Sequence, residues 1–115
     1  MSRDRLFLLE TPFDDPALPG QSFYCPSGIR IEGLLAAFPD LAERVEIHRL
    51  PFAKPRQPVS DLLGEENQSL PVLILADDAP ADLDTERHGE LRFVNDDRRI
   101  LALLAARHGV PLPHP

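Results

Sequence analysis

Cys25 is the single cysteine of this chain. It stands in the run Phe23-Tyr24-Cys25-Pro26-Ser27-Gly28, directly before the amphipathic stretch Ile29-Arg30-Ile31-Glu32-Gly33-Leu34-Leu35-Ala36-Ala37-Phe38. That order predicts a helix starting between Cys25 and Gly28. Pro26 then falls in the first turn, where its missing N–H does no harm. A helix start presents unpaired N–H groups and the positive end of the dipole, and both favour an anion. A thiol so placed is a stronger acid than a free one, with values of roughly 3.5–7.5 against ~8.5. Arginines such as Arg30 are expected to add to the effect. A second reading stands beside this one, because free cysteines are commonly buried and inert. One cysteine excludes dithiol cycling within the chain. A monothiol route remains, in which an external thiol resolves a mixed disulfide.

Other chemistry has weaker support. His48, His88, His108 and His114 are scattered, and no His-Glu-x-x-His occurs. No phosphate-cradling glycine loop is present. A phosphatase loop needs an arginine six places after its cysteine, and here Ile31 holds that place and Arg30 the one before it.

The elements that must position Cys25 can be read from the pattern. Leu6-Phe7-Leu8-Leu9 is a continuous apolar run suited to a central strand buried on both faces. Residues 11–24 read as one long loop. The first helix ends near Pro39, and Val45 to Leu50 alternates as a second strand. Strand, helix and strand at this spacing imply a parallel pair with a right-handed crossover. Val59 to Glu66 reads as a short helix, and Pro71-Val72-Leu73-Ile74-Leu75-Ala76 as a third strand. Leu91-Arg92-Phe93-Val94 is a fourth. Asn95 or Asp96 can N-cap a last helix over Asp97 to His108, which Gly109 ends. The tail from Val110 to Pro115 reads as extended.

Composition narrows the class. A chain of 115 residues with 43% hydrophobic content predicts one domain, 1–115, with an ordinary core. A net charge of −7 argues against nucleic acid as a partner. No run approaches the ~18 apolar residues that would indicate a membrane span. The start, Met1-Ser2-Arg3-Asp4-Arg5-Leu6, lacks the features of a signal peptide. With the single cysteine, this predicts a cytoplasmic protein.

The element order, Cys25 at the first helix, Pro71 opening the third strand and the capped last helix together resemble the thioredoxin-like superfamily. The likeness is closest to the glutaredoxin and glutathione-transferase N-terminal branch. The chain also resembles an uncharacterised bacterial domain-of-unknown-function family with that fold. Pro19-Gly20-Gln21 with Phe23-Tyr24-Cys25, Gly64-Glu65-Glu66-Asn67-Gln68-Ser69-Leu70-Pro71, and Arg107-His108-Gly109 carry that closer likeness. The resemblance implies an α/β fold with a four-stranded mixed sheet, a parallel pair flanked by antiparallel strands, between helices.

The same resemblance implies a site. Cys25-Pro26-Ser27-Gly28 matches the redox motif, with Gly28 where a dithiol protein has its second cysteine. Leu70-Pro71 matches a cis-proline junction whose backbone pairs with an extended thiol peptide such as glutathione. Asp96 matches the acidic residue that holds the γ-glutamyl end, and Asp97 stands where the family has serine. Arg49, Lys54 and Arg56 occupy the region that meets the glycyl carboxylate. Cys25 would then react, while Tyr24, Pro26, Ser27, Leu70, Pro71, Asp96 and Asp97 line the ligand. Glutathione transferases carry a helical second domain that supplies the electrophile pocket. The expectation here is therefore thiol chemistry without transferase activity. The implied partner is a small thiol, or a protein thiol or disulfide. The rival expectation is a non-catalytic interaction module that kept the fold and lost the chemistry.

Overall fold

The structure, a computed structural model, describes residues 3–115; the first two residues of the expected 1–115 domain lie outside them. In chain order, β1 (Arg5–Leu9) leads into a small ribbon of β2 (Phe13–Asp14) and β3 (Ser22–Phe23). Next come α1 (Pro26–Ala37), the single turn α2 (Leu41–Arg44), β4 (Glu46–Leu50) and α3 (Gln57–Leu63). The chain closes with β5 (Val72–Ile74), β6 (Glu86–His88), β7 (Leu91–Val94) and α4 (Asp97–His108).

The main sheet has five strands in the order β4-β1-β5-β7-β6. β4 runs parallel to β1, in register from Arg5↔Glu46 to Leu9↔Leu50. The remaining pairings, β1–β5, β5–β7 and β7–β6, are antiparallel. Alternation along the strands divides the core in two. Leu6, Leu8, Leu73 and Val94 face α1 and α4, packing on Ile31, Leu35, Ile100 and Leu104. Phe7, Val72, Ile74 and Phe93 face the other way, onto Val59 and Leu63 of α3. The continuous apolar runs of β1 and β5 thus reflect strands covered on both faces.

Two expectations are corrected. The sheet has five strands rather than four, because Glu86–His88 adds an edge strand. All three of its residues are exposed, so no apolar alternation announces it. Gly89, at φ +60°, makes the two-residue turn back into β7. Residues 11–24 are not one irregular loop. Phe13 pairs with Phe23 and Asp14 with Ser22 in a short antiparallel ribbon, and the Ser22 hydroxyl donates to Asp14 Oδ1 at 3.1 Å. Several boundaries also shift. The third helix starts at Gln57 and stops before Gly64, whose φ of +88° ends it. The third strand begins at Val72, because Pro71 has no N–H to give the ladder.

One polar group lies deep in the core. Asp4, 1% exposed, precedes β1. Its carboxylate accepts from the Ala76 N–H at 2.7 Å and from Arg107 Nε and Nη2 at 2.7 and 2.8 Å. His108 Nε2 lies 2.8 Å from Oδ2. Burial pushes the Asp4 carboxyl up, but hydrogen bonds from Arg107, Ala76 and His108 outweigh it and hold the group below its ordinary value. Its stabilising contribution is therefore complete above the unfolded value near ~3.9 and drains as pH falls through the lower folded value. Replacing Asp4→Asn should cost about 2–3 kcal/mol near neutral pH, since it leaves the partly buried Arg107 guanidinium without its carboxylate. Urea unfolding at a series of pH values checks this. The wild type should lose stability below about pH 4 more steeply than the variant.

Candidate functional site

Cys25 occupies the N-cap position of α1 with extended backbone angles. Its carbonyl accepts the first helical bond, from Ile29 N–H at 2.9 Å. Its Sγ accepts from the Gly28 N–H at 3.3 Å. The sulfur therefore does the work of a capping oxygen, on one of the donors a helix start leaves unpaired. Pro26 opens the helix and is exposed, Ser27 and Cys25 are half-buried, and Tyr24 is 59% exposed.

A buried arginine is gripped by the connections on either side of α3. Arg56, 8% exposed, precedes α3. Its Nε and Nη2 donate to the Phe52 carbonyl at 3.1 and 2.7 Å, and its Nη1 to the Gln68 carbonyl at 2.9 Å. Its backbone N–H donates to Gln68 Oε1 at 2.6 Å, and Gln68 Nε2 donates to the Glu65 carbonyl at 2.9 Å. Burial pulls the guanidinium below its ordinary value, while charge on Cys25 acts in the opposite direction. Arg56 lies over the Phe52 ring, 5.6 Å from its centre. Phe52 stacks on Phe13 at 4.7 Å, and Phe13 meets Phe23 at 6.1 Å. Phe23 is two residues before Cys25. An aromatic column thus joins the arginine to the strand that delivers the cysteine.

The other expected residues fall into separate roles. Leu70 is half-buried and Pro71 buried, and the bond between them is cis. Thr11–Pro12 and Lys54–Pro55 are cis as well. Gln68 ties the segment before Leu70 to Arg56. Asp96 N-caps α4 by accepting from the Arg99 N–H at 3.3 Å. Asp97 Oδ2 meets Arg30 at 2.9 Å, which binds the start of α4 to α1. The arginine expected to act on the thiol is thereby engaged by a carboxylate. Arg49 is held by Glu32 in a two-point contact of 2.9 and 2.7 Å, and the Glu32 hydrogen bond raises its pKa. For glutathione, the expected anchors at both ends are therefore already partnered, apart from the exposed Lys54.

An apolar cleft of about 370 Å³ lies between α1, α4 and the tail, with Leu34, Phe38, Leu101 and Leu112 among its lining residues. Cys25 is not part of it. Among the described residues no cluster of three or more His, Cys, Asp or Glu could hold a metal, and no helix is long and apolar enough to cross a membrane.

From the sequence, Arg56 stands only with Arg49 and Lys54 in the region that meets a glycyl carboxylate, and no role falls to Phe13 or Phe52. A usable signal was present, since these aromatics interrupt otherwise polar, proline-rich connections.

The fold and site define a mixed α/β protein whose only thiol caps a helix start. The chain belongs to the family described as Protein of unknown function (DUF3088), whose model matches residues 3–112. No curated protein and no solved structure matches it.

A Cβ built on Gly28 would stand 3.4 Å from Cys25 Cβ and 3.6 Å from its Sγ. Disulfides place their Cβ atoms roughly 3.5–4.5 Å apart. Gly28→Cys should therefore close a disulfide with Cys25 under mild oxidation. Thiol titration and intact mass before and after reductant check this. Two free thiols persisting in the oxidised, folded variant would contradict the geometry.

Proposed function

We propose that this chain is a thioredoxin-like monothiol protein that exchanges disulfides through Cys25. The observation that carries the reading is the capping geometry of the sulfur. Cys25 Sγ sits at a helix start and accepts an N–H. Each favours negative charge on sulfur, and the thiolate is the nucleophile in disulfide exchange. The parallel β1–β4 pair and the antiparallel β5 and β7 agree with a thioredoxin-like arrangement. A cytoplasmic location suits the single free cysteine.

The chemistry balances with external thiols. The Cys25 thiolate attacks one sulfur of a disulfide, forming a mixed disulfide and releasing the other sulfur as a thiolate that water protonates. A second external thiolate then attacks the outer sulfur of the mixed disulfide and frees Cys25. The net change is an exchange: one half of the original disulfide leaves as a thiol, the other half is joined to the incoming thiol, and no second cysteine is needed in this chain. Glutathione is one thiol of this class. Asp96 and Asp97 are committed to the cap of α4 and to Arg30, so the reading rests on the thiol chemistry and not on a prepared glutathione cradle. Tyr24, Pro26, Ser27, Leu70 and Pro71 are the remaining groups proposed to meet the bound thiol.

The second reading is a non-catalytic interaction module. Gly28, standing where a resolving cysteine would be, favours it.

Incubating the folded protein with oxidised glutathione separates the two. The thiol reading predicts a one-to-one adduct on Cys25, reversed by reductant and absent in Cys25→Ser. That variant should keep its stability within about 1 kcal/mol, because serine also caps a helix start. No adduct until the protein is denatured would establish Cys25 as a packing residue and favour the module.

A further inference from the structure

We propose that the cleft between α1, α4 and the C-terminal tail binds an apolar chain that ends in a carboxylate, the chemistry of a medium-chain fatty acid. Cys25 does not line this cleft, and the proposal does not rest on the thiol reading.

Two adjoining cavities run along the outer seam of α1 and α4. The first, of about 370 Å³, has apolar walls from Leu34, Phe38, Leu101 and Leu112. The second, of about 500 Å³, is bordered by Arg30, Arg98 and His114. Arg30, Leu101 and Pro113 line both, so the two form one groove with an apolar end and a cationic end. Each volume falls in the range of small-molecule sites. The helical period builds this gradient. On α1, Arg30, Leu34 and Phe38 recur every four residues, and on α4 Leu101 follows Arg98 by three. The Arg30–Asp97 contact sets the starts of the two stripes side by side. The tail is the third wall. It returns from the end of α4 with Pro111 and Leu112 over the apolar part and Pro113, His114 and Pro115 beside the arginines.

Exposure, charge and stiffness favour this occupant. Phe38 and Leu112 are left 38% and 70% exposed in one place. Exposed apolar patches rimmed by polar residues mark binding grooves. The cationic end is complementary to an anion. Among the described residues the Arg98 side chain meets no carboxylate, and Asp97 is the only carboxylate in contact with Arg30, through Nη1 alone. The positive charge there is local, because the chain as a whole carries a net −7 and repels anions. The tail wall is also stiff. Prolines fix φ at positions 111, 113 and 115, and Val110 packs onto the core at its base. A wall held this way loses little freedom when a ligand enters.

The test is an NMR titration of the isotope-labelled protein with decanoate, beside decanol and acetate at matched concentrations. Decanoate should shift the amide signals of the cleft walls, Leu34 and Leu101 among them. Decanol should bind about fivefold more weakly, the upper end for an exposed charge pair. Acetate should leave the apolar walls unshifted. Arg98→Ala should bring decanoate down to the level of decanol, while Leu112→Ser should weaken both about fivefold. Both side chains are exposed, so neither change touches the core. Cys25→Ser should bind decanoate as the wild type does, whatever the outcome for the thiol. Absence of shifts at millimolar decanoate overturns the proposal. So does equal affinity for decanol, an acetate response of the same pattern, or an Arg98→Ala protein that still prefers decanoate. A dimer in sedimentation that Leu112→Ser makes monomeric, without decanoate binding, assigns the cleft to a second copy and overturns it as well.

Discussion

The Asp4 carboxylate is the interaction on which the architecture depends. It receives a backbone N–H from the residue after Leu75, two guanidinium N–H groups and an imidazole, while its own carbonyl accepts the Glu46 N–H at 2.9 Å. One residue thus fastens the starts of β1 and β4, the end of β5 and the last turn of α4. Arg44 adds a second tie by donating to the His108 carbonyl at 2.8 Å. With α4 fixed at its C-terminal end, its N-terminal end is set against α1 by the Arg30–Asp97 pair. The helix that presents Cys25 is therefore held on one side by α4 and beneath by the sheet.

Among the described residues, polar burial is used differently around Asp4 and around Arg56. Around Asp4, opposite charges meet and the group is fully partnered. Around Arg56, carbonyls replace the carboxylate and the charge is left uncompensated. The first arrangement fastens elements together, as expected of a closed network in which breaking one partner exposes the rest to an unpaired charge. The second ties the connections before and after α3 to one another. Both depend on loops: the 51–56 connection and the turn at Gln68 hold the arginine, while the β2–β3 ribbon holds the aromatic column.

The parts legible in the sequence were those where local pattern and burial coincide. Leu6 to Leu9 and Val72 to Ile74 are apolar without interruption because both faces are covered. Asp96 and Gly109 mark the ends of α4 because a cap and a left-handed turn need those residue types. The start of the first helix between Cys25 and Gly28 followed from Pro26 and the apolar period after it. Features made by distant partners were not legible. Asp4 and Arg107 stand 103 positions apart, and nothing local to Asp4 marks it as buried. The burial of Arg56 depends on a carbonyl 4 positions before it and another 12 positions after it. The edge strand at Glu86 to His88 is held by backbone pairing to β7, with side chains in water, so its composition resembles a loop.

These features converge on whether the fold makes Cys25 more reactive than the bare chain does. The direct measurement is the rate of alkylation by iodoacetamide at neutral pH, taken on the folded protein and on the same protein in urea. The helix start and the Gly28 N–H at the sulfur exist only in the folded state, so the account predicts faster alkylation there than in the unfolded chain. A folded-state rate below the unfolded one would mean that the fold shields the sulfur instead of activating it, and would contradict the account.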